Sequence, residues 1–266
     1  MRLLTEAENK QIELDILLRL VEFCNAHKLT YFLAYGTLIG AVRHGGFIPW
    51  DDDIDVNMPR EDYEYLISHA DEFDVSGRYR IISPFNKESH HSFVKVIDTH
   101  TVKIEAGLCY HDDCLGVDVD IFPLDGEPDD DEAFDRFYEK LMKTYRMYVF
   151  CVSDAKLSLK RRIAIPLIRI VYGKKRMLKK ARKIHAKYPY KTARFVGAIE
   201  SAYNSKGNRF EKEWFSSTTL VDFEGHKLFA PVGYDKILTR VYGDYMQLPP
   251  AEKQVTHHRS RAYIKE

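Results

Sequence analysis

Between Gly36 and Val56 the chain reads GTLIGAVRHGGFIPWDDDIDV, and the end of that stretch places four carboxylates, Asp51, Asp52, Asp53 and Asp55, within five residues. Few folds tolerate that concentration. Carboxylates this close repel one another, and removal from water raises their pKa unless positive charge sits among them. A hard divalent cation with oxygen ligands is the usual remedy. If residues 53–56 form a strand, alternation sends Asp53 and Asp55 to one face and Ile54 and Val56 to the other. Two acids then aim at one point while the apolar pair anchors in a core. An acidic turn after Pro49 with solvated aspartates is the competing reading. The apolar run before it, the glycine punctuation and the alternation after it favour the site.

A second alternating segment, Val117-Asp118-Val119-Asp120-Ile121-Phe122, puts Asp118 and Asp120 on one face. Buried strands seldom carry two aspartates unless these are paired or ligate something. One of them is expected to complete the metal site begun by Asp53 and Asp55; Asp120 is preferred and Asp118 competes. The alternative is that one caps a loop or pairs with a basic residue. Lys95, in Phe93-Val94-Lys95-Val96, points to the polar face of its strand. It is a candidate basic partner for these carboxylates, or a solvated strand lysine. Gly36-Thr37 lies between a strand and a helix, where glycine allows close backbone approach and the helix start offers free N–H groups to an anion. Arg43 can fork onto a phosphate or stand as a surface arginine.

Tyr35-Gly36-Thr37-Leu38-Ile39-Gly40, Arg43 and Ile48-Pro49-Trp50-Asp51-Asp52-Asp53-Ile54-Asp55 together resemble the signature of the LicD family. Residues 116–126, Tyr242-Gly243-Asp244-Tyr245, Leu248-Pro249-Pro250 and His257-His258 extend the resemblance over most of the chain. It implies a nucleotidyltransferase sheet and transfer of phosphocholine from CDP-choline to a cell-surface glycan such as teichoic acid or lipopolysaccharide. Fukutin-type relatives use CDP-ribitol, so another CDP-alcohol is an alternative donor. The position of Gly36-Thr37, 17 residues before Asp53, matches the family pattern for cradling the donor phosphate. The expected cofactor is Mg²⁺, or Mn²⁺, with Asp53, Asp55 and Asp120 catalytic, and Gly36, Thr37, Arg43, Trp50 and Lys95 binding the donor. Choline cannot donate a hydrogen bond, so aromatic faces must hold it. Trp50, beside the aspartates, is the candidate, with stacking on cytosine or plain packing as alternatives. Transfer of a nucleotide to a small acceptor, and a non-catalytic cation-binding module, are the rival functions.

Lys plus Arg equals Asp plus Glu at 40 each, yet the charge is unevenly spread. Between Ala155 and Ile199 there are fifteen Lys and Arg and no acid, with Ile163, Ile165, Leu167, Ile168, Ile170 and Val171 interleaved. That composition suits a helix on an anionic membrane surface, through residues 156–194, beside a lipid-linked acceptor. Sparse aromatics argue against nucleic acid. A solvated helical subdomain is the plain alternative. Four cysteines are too few for a disulfide scaffold, and Cys109 and Cys114 read as free thiols. No signal pattern opens the chain and no run approaches about 20 apolar residues, so a cytoplasmic protein is expected, peripheral on the inner face of the membrane.

The fold expected is α+β: a nucleotidyltransferase-like mixed sheet with flanking helices plus a basic helical subdomain. Thr5-Glu6-Ala7-Glu8 matches a capping box and opens a helix over residues 5–27. Short strands are expected at 31–35, 54–58, 79–83, 93–98, 102–105 and 117–122, mostly antiparallel. Helices are expected at 38–43, 61–73, from Asp129 and at 234–242. Residues 1–150 form the catalytic core in this reading, 151–205 the basic subdomain, and 206–266 a segment packing back on the core.

Overall fold

Thr5 and Glu8 satisfy each other at the start of the first helix. The Glu8 amide donates to Thr5 Oγ1 at 3.2 Å, and the Thr5 amide donates to the Glu8 carboxylate at 2.8 Å. Helix α1 (Glu6–His27) then buries Ile16, Leu17, Leu20 and Cys24 at helical spacing against the central sheet. The computed structural model describes residues 1–85, 91–105, 115–152, 170–200, 206–256 and 260–265. Cys109, Cys114, His90, His257, His258 and residues 153–169 of the basic block lie outside them.

After β1 (Arg2–Leu3) and α1 come β2 (Phe32–Leu33), α2 (Tyr35–His44), β3 (Asp55–Pro59), α3 (Arg60–Ser68), β4 (Tyr79–Ile82), β5 (Val94–Asp98), β6 (Thr101–Glu105) and β7 (Asp118–Glu127). Then follow α4 (Asp131–Val152), α5 (Lys174–His185), β8 (Phe195–Gly197), β9 (Phe210–Glu211), β10 (Thr218–Phe223), β11 (His226–Pro231), α6 (Tyr234–Tyr242) and β12 (Ser260–Ile264). The main sheet runs β2-β3-β7-β5-β4, with β8 on β7 and β9 on β8. The fold is α+β. Strand β3 pairs parallel with β7, and the other pairs are antiparallel. A parallel pair needs a long crossover, which residues 60–117 supply.

β7 is longer than its alternation suggested because its end gains a second partner. Val94↔Ile121 pairs it with β5, and Asp125↔Gly197 begins the β8 ladder. Pro123 falls between these ladders, where no antiparallel partner needs its missing N–H. Ile54, Val56, Val94, Val96, Val119 and Ile121 are buried in the core with α1. Helices α4 and α5 pack on each other through Phe137, Leu141, Tyr145, Ala181 and Ile184. Helix α4 runs across residue 150, and β8 places residues 195–197 in the sheet.

A hairpin that the sequence reading passed over braces the acidic loop. Between β10 and β11, Glu224 and Gly225 both take positive φ, 49° and 78°, as a two-residue turn with the twist of its strands requires. The Glu224 amide donates to the Gly45 carbonyl at 2.9 Å, and Glu224 Oε1 accepts from the Phe47 amide at 3.0 Å. Gly225 has open space around its Cα, so a side chain there costs backbone strain alone. Gly225→Val should destabilise by about 1–2 kcal/mol, lowering Tm by roughly 2–4 °C per kcal/mol. An unchanged melting curve would refute the left-handed turn.

Candidate active site

Asp55 opens β3 directly beside Asp120 of β7 in the parallel register. Backbone bonds fix the pair: the Asp120 amide donates to the Ile54 carbonyl at 2.9 Å, and the Ala34 amide to the Asp55 carbonyl at 3.0 Å. The Asp55 amide donates to Thr37 Oγ1 at 2.9 Å. Thr37 therefore holds the strand that carries Asp55. Asp53 precedes β3, and Asp51, Asp52 and Asp53 bring carboxylate oxygens within 4.8 Å of one another. Asp51 also presses on Gly36, where a methyl group would overlap its Oδ2. Glycine at 36 is what lets the acidic loop touch the start of α2.

The electrostatics follow from crowding. Burial, then Asp53, Asp120 and Asp51, push the Asp55 carboxyl well above the usual range, opposed by Lys95. Burial pushes Asp120 up to about 7, with Asp118 adding to it and Lys95 opposing. Glu13 of α1 is buried and raised in turn, first by burial, with Asp118 and Asp53 contributing and Lys103 opposing. Asp118 is different. Lys95 Nζ donates to Asp118 and, at 2.6 Å, to Asp120 Oδ1. Lys103 Nζ donates to Asp118 Oδ1 at 2.6 Å. Burial opposes ionisation of Asp118, but Lys103 and then Lys95 hold its carboxyl well below the ordinary range. Two lysines thus engage Asp118, whereas Asp120 shares one of them and stands beside Asp55. Lys95 is not a solvated strand lysine: it is buried.

The remaining candidates are distributed around this centre. The Ala34 side chain makes no cap bond at the start of α2, as suits an anion-binding helix end. Arg43 Nη1 donates to the Tyr245 carbonyl at 2.6 Å and to that of Gln247 at 3.4 Å. In this structure it clasps the C-terminal segment. Trp50 packs partly buried on the core, edge-on to His44 at 6.3 Å, and its carbonyl accepts from Thr256 Oγ1 at 3.3 Å. Residues passed over as site candidates include Asp51, Glu13, Lys103, Tyr35 and Tyr242. Burial, then Asp55, Asp51 and Asp53, raise the Tyr242 hydroxyl, placing it in the field of the acids. Its signal was the segment 242–245; Glu13 and Lys103 look like ordinary surface charges in sequence.

A second buried cluster, Asp125, His185 and Glu200, also has metal-like spacing. Its cation position is taken by Arg60, whose Nε donates to Asp125 Oδ1 at 2.7 Å and whose Nη2 lies 3.7 Å from Glu200 Oε1. His185 Nδ1 is 3.1 Å from Asp125 Oδ2. This cluster ties the far ends of β3 and β7 to α5.

Crowded carboxylates thus stand at the head of two parallel strands, against the start of α2. A family described as LicD/FKTN/FKRP, nucleotidyltransferase domain, matches residues 28–177. The chain is 32% identical over 278 residues, covering 99% of it and 100% of the relative, to the lipopolysaccharide cholinephosphotransferase LicD of Haemophilus influenzae. Shorter matches join it to the uncharacterized proteins RP689 of Rickettsia prowazekii, 39% identical over 21% of each chain, and RT0683 of Rickettsia typhi, 40% identical over 23% of this chain and 19% of that one. The chain belongs to the LicD family.

The raised carboxyls make stability depend on pH. Folding favours the protonated forms of Asp55 and Asp120, so their stabilisation is complete below the unfolded carboxylate range. It is lost as pH rises, for Asp120 through about 7. Glu127 and Glu200, each raised to about 8, act in the same direction. Chelator-treated protein should therefore melt lower at about pH 8 than at about pH 5, and Asp120→Asn should remove part of that slope. A slope identical in the variant would show that Asp120 ionises normally.

Proposed function

We propose that the chain transfers phosphocholine, or a similar phospho-alcohol, from a CDP-linked donor to a hydroxyl of a cell-surface glycan or its lipid-linked precursor, releasing CMP. The observation that carries this reading is the Asp55–Asp120 pair beside the start of α2, together with identity along the whole of a cholinephosphotransferase. The donor set is all oxygen, is crowded enough to raise two of its carboxyls, and fits a hard divalent cation such as Mg²⁺ or Mn²⁺. Asp53, Asp55 and Asp120 would hold it, with Asp51 and Asp52 adjacent. Asp118, engaged by two lysines, is the weaker ligand candidate. When bound, such an ion neutralises charge on the diphosphate.

The protein's own groups do the rest. The N–H groups opening α2 would seat the phosphate, with Gly36 making room for Asp51 beside them. Lys95 holds Asp118 and Asp120 in place and lends positive charge to the phosphoryl group. The acceptor oxygen attacks the phosphorus bearing the alcohol as the bond to the CMP oxygen breaks. The hydroxyl proton passes to a carboxylate of the cluster. Attack on the other phosphorus would instead leave a nucleotide on the acceptor. CMP release measured with CDP-choline, CDP-ethanolamine and CDP-ribitol tests the reading. Asp53→Asn and Asp55→Asn should each lower turnover by about a thousandfold or more while keeping the fold. Near-normal turnover in both at saturating Mg²⁺ would remove the site from the chemistry.

The described part of the basic block supports docking on an anionic membrane, with the protein on its cytoplasmic face. Helix α5 buries Met177, Leu178, Ala181 and Ile184 and exposes Lys175, Arg176, Lys179, Lys180 and Lys183. Ile170, Val171 and Tyr172 stand exposed just before it. No described helix is long and apolar enough to cross a membrane. Each basic residue near such a surface contributes roughly 1 kcal/mol. Changing Lys175, Lys179, Lys180 and Lys183 to Gln should weaken binding to phosphatidylserine vesicles and activity on a lipid-linked acceptor, sparing a short soluble one. Wild-type protein that ignores such vesicles at low salt would end the docking reading.

A further inference from the structure

Three aromatic rings line up beside the paired aspartates. Phe122 lies two residues beyond Asp120 on β7, and so on the same side of the strand. Phe93 stands just before β5, two residues from Lys95 and on its side. Tyr35 opens α2 next to Gly36. The rings of Tyr35 and Phe122 meet edge to face, 5.7 Å apart at 85°, and those of Phe122 and Phe93 lie 4.5 Å apart at 47°. All three are only partly buried, whereas core rings such as Phe73 and Phe223 are 0% exposed. Tyr35 also takes φ 46°, a left-handed conformation costly for a bulky residue. Such strain persists where the surroundings enforce it, and it concentrates at ligand sites.

We infer that Tyr35, Phe122 and Phe93 form the wall that recognises a quaternary ammonium, and that they, rather than Trp50, set which alcohol the site accepts. The inference rests on the transfer reading above and assigns the donor's head group to named residues. A trimethylammonium has no N–H, so it needs π faces rather than hydrogen-bond acceptors. Phe93 and Phe122 offer nothing else. A primary ammonium or a polyol placed there would leave its donors unpaired, a loss a trimethylammonium does not suffer. The wall already faces one cation, since Lys95 Nζ sits 5.5 Å from the Phe93 centroid. That charge is answered by Asp118 and Asp120.

Calorimetric titration of the full chain with phosphocholine and with phosphoethanolamine tests this independently of turnover. Wild-type protein should prefer phosphocholine by about tenfold or more. Phe122→Leu and Tyr35→Gly should cut that preference to about threefold or less, with phosphoethanolamine affinity nearly unchanged. Glycine at 35 also suits the left-handed backbone, so loss of the ring is separated from loss of fold. If Phe122→Leu fails to fold, Phe93→Leu gives the same reading. An undiminished preference in the folded variants, equal binding of the two ligands by wild type, or no phosphocholine binding at all overturns the inference. Discrimination without CMP release from any CDP-alcohol would instead overturn the transfer reading and leave the wall standing.

Discussion

Repulsion among carboxylates at the head of β3 and β7 is the constraint around which the structure is arranged. Asp51, Asp52, Asp53, Asp55, Asp118, Asp120 and Glu13 converge there, against the ammonium groups of Lys95 and Lys103. Two like charges about 4 Å apart near a protein surface cost on the order of 4 kcal/mol, so the fold must hold the loop from outside. It does so at three places. Glu224 grips Gly45 and Phe47, Lys10 Nζ of α1 donates to the Pro49 carbonyl at 3.0 Å, and Thr37 receives the Asp55 amide. Each brace comes from a different part of the chain, so the acidic loop is a tertiary construction and not a local turn.

The two lysines divide labour by their register. Lys103 reaches only Asp118, while Lys95 bridges Asp118 and Asp120. Asp118 is thereby kept ionised, and it shares Lys95 with Asp120. The same crowding that raises Asp120 toward neutrality is what a further positive charge would relieve.

Much of this was legible where the information is local. The capping box fixed the start of α1, and 234–242 is helical as its pattern says; of the period-two runs, 117–122 lies in β7, whereas 53–56 is strand only from Asp55, leaving Asp53 in the loop before it. Pairing was not legible. The parallel match of Asp55 with Asp120 and the β1-β12-β6 sheet join residues far apart, through strands as short as the pair Arg2–Leu3. The β10–β11 hairpin was signalled by Glu224-Gly225 between strand-like runs, but glutamate is an uncommon left-handed turn residue and the pair escaped notice. Arg43 reads as a free cation because its partners, the carbonyls of Tyr245 and Gln247, lie some two hundred residues away. The left-handed φ of Tyr35 is a backbone angle that no side-chain pattern encodes.

The two ends of the parallel pair carry different clusters. Asp55 and Asp120 stand at one end; at the other, Arg60, Asp125 and His185 knot the strands to α5, and Arg182 of α5 pairs with Glu64 of α3. From Asp120 to Asp125 is five residues of strand, roughly 17 Å at about 3.3 Å each. Helix α5 is thus tied to the strand pair about that far along β7 from the acids. If α5 rests on the bilayer, the reacting hydroxyl must stand well above the lipid head groups. A glycan of several sugars on a lipid carrier has that reach, whereas the head group of an ordinary phospholipid does not. On the docking proposal, the spacing between the basic helix and the acids would favour a long acceptor, as the proposed aromatic wall would favour a quaternary head group.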